Sequence, residues 1–176
     1  MKAIILAAGK GTRISEITNS IPKTLLKIGS LSIIERLIYQ LEKNGIEEII
    51  VVTGYKSDIL QNYLNKFQNI RFIKYDNFNN TNNLHTLWSV NNEIKDNIIV
   101  SFADLLLENK IITSLIESEG DIVMATDNSN ILPDTMRVSC ERTNLKSITL
   151  TPVDEATGNF IGIAKFNKNG CKILKH

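Results

Sequence analysis

Ala3-Ile4-Ile5-Leu6-Ala7-Ala8-Gly9-Lys10-Gly11-Thr12-Arg13 opens the chain, and its reading decides the rest. The apolar run from Ala3 to Leu6 reads as a buried first strand. A glycine-rich turn at the C-terminal end of such a strand lets backbone N–H groups approach an anion, because glycine has no Cβ in the way. Lys10, Arg13 and, after Pro22, Lys23 add cations beside the turn. Together these features suit a polyphosphate; the alternative is a surface turn with solvated charges. Two familiar phosphate loops do not fit. The dinucleotide fingerprint needs a third glycine at position 14, which is Ile14, and Gly9-Lys10-Gly11-Thr12 lacks the spacing of a Walker A loop.

The 176 residues are 43% hydrophobic and 22% charged, which suits one globular domain, 1–176, with a substantial core. A formal net charge of +1 gives no bulk attraction to nucleic acid or membrane. The apolar run near the N-terminus is too short for a convincing signal peptide, and no segment is long enough to span a bilayer. Cys140 and Cys171 lie far apart without metal-ligand spacing. They read as reduced thiols of a cytoplasmic protein.

Apolar runs alternate with helical patterns through the first two thirds. Ile33, Ile34, Leu37, Ile38 and Leu41 follow helix spacing, with Gly45 as a stop. Residues 48–53 read as a buried strand ending at Gly54-Tyr55. Ile59, Leu60, Tyr63 and Leu64 mark a second helix, and 70–75 a third strand. Residues 76–83 form an asparagine-rich loop. Asn82 or Asn83 can cap a helix carrying Leu84, Leu87, Trp88 and Val90, with Trp88 on the buried Leu84/Leu87 face. Residues 97–102 form a strand ending in Ala103-Asp104, followed by a helix at 111–116 and a strand at 121–125. Beyond that, 137–139, 145–150 and 160–166 read as short strands. The early β-α-β-α-β series predicts a mostly parallel sheet with right-handed crossovers. Ligands bind beyond the carboxyl ends of such strands, where Gly9, Gly54, the asparagine loop and Asp104 all fall.

Leu6-Ala7-Ala8-Gly9-Lys10-Gly11-Thr12-Arg13 followed by Pro22-Lys23 resembles the start of the nucleotidyltransferases, or pyrophosphorylases, that make sugar-nucleotides and CDP-alcohols. The resemblance implies a three-layer α/β/α fold with a Rossmann-like sheet of the nucleotide-diphospho-sugar transferase type. It implies that Lys23 contacts the nucleotide α-phosphate and that Arg13 binds the β- and γ-phosphates, with Lys10 a weaker candidate for the same group. Leu6, Ala7, Ala8 and Gly9 read the base partly through backbone, and Gly11 and Thr12 complete the loop. The resemblance implies that Asp104 holds Mg²⁺, as a carboxylate at the end of an apolar strand is placed to do, with Ala103 where the family usually has glycine; a helix N-cap is the other role open to Asp104.

Asn82-Asn83-Leu84-His85-Thr86-Leu87-Trp88-Ser89 resembles the asparagine-containing helix start of CTP-using members that activate phosphocholine or phosphonates. Asn83 and Thr86 would then approach the nucleotide or acceptor; a capped helix with nothing bound is the alternative. His85 reads as a surface or capping residue. Gly158-Asn159-Phe160-Ile161-Gly162 resembles a late strand that closes the acceptor pocket. Many family members carry a second metal-binding aspartate late in a longer chain. Here Asp154 and Glu155 are the nearest late carboxylates and the sequence ends at His176, so a substitute ligand, a C-terminally short chain and a short natural variant all stay open.

The resemblance implies one in-line displacement of pyrophosphate from a nucleoside triphosphate, CTP being favoured, by a small phosphorylated or phosphonate acceptor. A sugar-1-phosphate acceptor and a non-catalytic nucleotide-binding regulatory subunit remain alternatives. A homodimer is compatible with the sequence.

Overall fold

The computed structural model describes residues 1–11, 21–79, 82–130, 135–142, 144–150 and 156–175. Thr12, Arg13, Asp154 and Glu155 lie outside them. At the centre is β1 (Lys2–Ala7), paired in parallel with β4 (Glu48–Thr53) on one side and β6 (Ile98–Phe102) on the other. β5 (Ile70–Lys74) adds a fourth parallel strand beyond β4. Two short strands, β2 (Lys27–Ile28) and β3 (Leu31–Ser32), form a separate hairpin.

The second half of the sheet is antiparallel. β10 (Gly158–Phe166) runs against β6, β7 (Ile122–Asp127) and β8 (Arg137–Glu141), and β8 pairs with the edge strand β9 (Asn144–Thr149). The sheet is thus mixed, with the expected parallel core extended by an antiparallel wing.

Successive side chains of β1 point to opposite faces and are buried on both. Ala3, Ile5 and Ala7 join one core with α1 (Ile33–Lys43), α2 (Ser57–Leu64) and α4 (Asn109–Glu117). Ile4 and Leu6 join the other with α3 (Asn83–Trp88) and α5 (Lys168–Leu174). This makes the three layers. Among the described residues, no helix is long and apolar enough to cross a membrane.

One side-chain expectation is corrected. Trp88 is 51% exposed and Leu84 64%, while Leu87 is buried. At about 100° per residue, the buried positions Thr86, Leu87 and Val90 share one side of the turn, and Leu84 and Trp88 fall on the other. Six helical residues were too few for periodicity to place that face. The cysteines are both free, and Cys171 is buried as a packing residue whereas Cys140 is only half-buried.

α1 is fastened at its start. Ser32 Oγ accepts from the Glu35 amide, and Glu35 Oε2 accepts from the Ser32 amide at 2.7 Å, a capping box. The same buried carboxylate accepts from Tyr63 Oη at 2.7 Å and from Lys66 Nζ, which ties α1 to the α2 region. Burial alone would push the Glu35 carboxyl up, but hydrogen bonds from Lys66, the Ser32 amide and Tyr63 outweigh it and hold the group down at about 2. The carboxylate therefore contributes stability that is fully present above the ordinary value of 4.5 and is lost as pH falls towards 2. Glu35→Gln should cost roughly 2–4 kcal/mol at neutral pH. Urea unfolding should show the gap to the parent protein narrowing as pH drops below about 4.5; a pH-independent gap would refute the assignment.

Candidate active site

The site is assembled at the C-terminal ends of the parallel strands. Gly9, Lys10 and Gly11 follow β1 directly. Gly11 has φ +63°, a left-handed conformation that a side chain resists. It also gives room: a Cβ at Gly11 would lie 3.1 Å from Lys23 Cβ and 3.3 Å from Lys23 Cδ. The loop after β1 thus lies against the Lys23 stem. Pro22, with φ −55° and ψ 139°, starts the 3₁₀ turn Lys23–Leu25, closed by Leu25 N–H donating to Pro22 O at 2.9 Å.

Asp104 arrives from the other neighbour of β1. The Ala103 amide donates to Leu6 O at 3.2 Å, which carries the β1–β6 pairing to the residue before Asp104. The Ala103 methyl is buried in the first core, so that packing absorbs it. Lys23 Nζ donates to Asp104 Oδ2 at 2.5 Å. The N-cap position of α4 belongs to Glu108, so Asp104 is not the helix cap that the sequence also allowed.

The two charges border a polar cavity of about 110 Å³ lined by Leu6, Ala7, Gly9, Gly11, Lys23, Asn83 and the turn residues beside them. Lys10 is exposed and outside this lining. Ala8 is buried, and its carbonyl accepts from the Tyr55 amide at 3.0 Å. Asn82, not Asn83, caps α3: its Oδ1 accepts from the Leu84 and His85 amides at 3.0 and 3.2 Å. Asn83 is thereby left facing the cavity. Thr86 is buried and its hydroxyl donates to Asn82 O at 3.2 Å, so the hydroxyl expected to approach a ligand instead braces the cap. His85 is the surface residue expected, with Nδ1 3.1 Å from Asn82 Oδ1.

A second groove, about 350 Å³, leaves this cavity at Leu6, Asn83 and Phe102 and runs along the α3/α5 face of the sheet. Phe160 and Gly162 of the late strand line it, and Phe160 meets Phe102 edge-on at 5.9 Å. Asn159 points elsewhere: its amide donates to Asn130 O and its oxygen accepts from Thr135 Oγ1 at 2.8 Å.

Among the described residues no group of three or more His, Cys, Asp or Glu could cage a metal. A lone carboxylate beside a polar cavity still suits Mg²⁺, which keeps waters and takes substrate phosphates for its remaining positions.

Sequence reading missed the buttress behind the loop. A Cβ on Gly54 would lie 2.8 Å from Ala8 O and 2.9 Å from both Ala8 Cβ and Phe78 Cδ1. The available signal was a glycine at the end of a buried strand.

A family model described as nucleotidyl transferase matches residues 2–174, and the chain belongs to that family. It is similar to a CTP:phosphoglutamine cytidylyltransferase of Campylobacter jejuni, 30% identical over 95% of this chain and 73% of the relative. It is also similar to a choline-phosphate cytidylyltransferase of Streptococcus pneumoniae, 32% identical over 74% of this chain and 56% of the relative. The structure of an inositol-1-phosphate CTP transferase from T. maritima superimposes with a TM-score of 0.81 over 98% of this chain and 72% of that one; at 20% identity the agreement is one of fold.

Gly54→Ala should push the Ala8 carbonyl off its position and cost about 1–3 kcal/mol, read by urea unfolding. An unchanged midpoint would show that the loop yields freely.

Proposed function

We propose that this protein transfers CMP from CTP to a small phosphorylated or phosphonate acceptor, such as phosphocholine or 2-aminoethylphosphonate, and releases pyrophosphate. The observation that carries the reading is the convergence of Lys23 and Asp104 against the Gly9–Gly11 loop, at the carboxyl ends of β1 and β6. CTP is favoured by the Asn82-Asn83 helix start and by the two relatives, both named cytidylyltransferases.

An acceptor oxygen attacks the α-phosphorus, and the bond to the oxygen bridging the α- and β-phosphates breaks. Negative charge grows on the non-bridging α-oxygens, and the Lys23 ammonium stabilises it there. Pro22 stiffens the turn, so the lysine is aimed at little entropic cost. Arg13, in the role carried over from the family motif, holds the β- and γ-phosphates that leave. Asp104 is the residue that would hold Mg²⁺, which when bound neutralises phosphate charge. Leu6 to Gly9 present backbone groups to the base, and Asn83 lies where nucleotide and acceptor meet. A phosphate or phosphonate oxygen is already ionised at pH 7, so neither a protein nucleophile nor a strong general base is needed.

Pyrophosphate release should be assayed with Mg²⁺ and CTP, UTP, dTTP or GTP against phosphocholine, 2-aminoethylphosphonate and a hexose-1-phosphate. Release is expected with CTP and one of the first two acceptors. Release only with the hexose-1-phosphate would move the protein to the sugar-nucleotide branch, and CTP binding without release would make it a nucleotide-binding regulatory subunit. Lys23→Ala should lower kcat by about 10²–10³ while changing CTP affinity far less, because its charge matters most in the transition state.

A further inference from the structure

Lys23 and Asp104 are each other's only ionic partner among the described residues. Their side chains remain 34% and 36% exposed, so a ligand in the cavity can reach either head. The lysine stem lies against Gly11, where a Cβ would come within 3.1 Å of Lys23 Cβ.

The ammonium lies 2.5 Å from Oδ2. A magnesium ion held by the same carboxylate would take one of its oxygens at about 2.0–2.1 Å. The ammonium takes up one side of that carboxylate and repels a second cation held on it, so the ion pair disfavours the metal although Oδ1 offers further lone pairs. A triphosphate alters the balance by offering the ammonium other anionic oxygens.

We infer that Lys23 and a divalent cation compete for Asp104, and that the nucleotide opens the metal position by drawing Lys23 onto its phosphates. Metal and nucleotide then bind cooperatively, beyond the attraction they have for each other in solution. The ion pair opposes each ligand when it comes alone, and the coupling is reciprocal by linkage. This rests on the proposed nucleotide role of the cavity, but its first test does not involve nucleotide.

Mn²⁺ titration followed by electron paramagnetic resonance, with no nucleotide present, compares the parent protein with Lys23→Met, which keeps most of the stem against Gly11. Removing the competitor should tighten Mn²⁺ binding roughly two- to fivefold, the scale of an ion pair about one third exposed. Lys43→Met removes an exposed charge at the end of α1, outside the cavity lining, and should change Mn²⁺ affinity less than about twofold, because exposed charges beyond a Debye length are largely screened. The second arm is calorimetric titration with CTP in EDTA. Asp104→Asn frees the ammonium and should bind CTP several-fold more tightly than the parent, opposite to the loss expected for a metal ligand when Mg²⁺ is present. Thermal melts confirm that each variant is folded.

Equal Mn²⁺ affinity in the parent and Lys23→Met, an equal gain in Lys43→Met, or no Mn²⁺ binding in either protein would overturn the inference. So would Asp104→Asn failing to gain CTP affinity in EDTA. A protein that binds Mn²⁺ as predicted but no CTP under any condition would instead overturn the proposed function.

Discussion

The parallel hydrogen bonding of β1 to β4 on one side and β6 on the other is the constraint from which the site follows. Leu6 is level with Val52 and with Phe102, so the three chains leave the sheet side by side. Ala8-Gly9, Gly54-Tyr55 and Ala103-Asp104 are the first residues out on each strand. A slip of one residue in β1 would exchange its two buried faces and set Ala3, Ile5 and Ala7 where Ile4 and Leu6 now pack, so both cores would be misfilled at once. The register is held by burial on both sides, and the loop geometry inherits its precision.

Electrostatics separates function from architecture here in an instructive way. Glu35 has the most depressed carboxyl, yet its oxygens accept from Lys66, the Ser32 amide and Tyr63, and no ligand can reach it. Its perturbation records a structural knot between helices. Asp104 sits at a cavity rim with a side chain 36% exposed and, among the described residues, a single ionic partner. A perturbed carboxyl is thus no sign of a site by itself; the proposal for Asp104 rests on its exposure and its place at the cavity.

The parallel half of the fold was legible because its strands are continuous apolar runs and α1 carries helix spacing from Ile33 to Leu41 with Gly45 as its stop, whereas the Ser32–Glu35 capping box came from the structure. Asn82 was readable as a cap for the same local reason. The orientation of Leu84 and Trp88 was not, since α3 spans less than two full turns. Nor was Thr86, whose hydroxyl has a backbone acceptor four residues earlier and uses it once the helix forms. The antiparallel wing showed only as short strands, without its partners, because strand pairing is settled by residues far apart in the chain. The loop that carries Arg13 is readable as a motif, while its placement lies outside the described residues.

By itself the sequence determined a buried strand that ends in a glycine-rich turn, a proline-stiffened lysine, and a carboxylate at the end of another buried strand. Those are local properties, set by apolar runs, missing Cβ atoms and a fixed proline φ. Only the tertiary structure decided that Lys23 meets Asp104, 81 residues further on. That contact requires β1 and β6 to lie adjacent, parallel and in one register, and the register is set by two hydrophobic cores closing on opposite faces of the sheet.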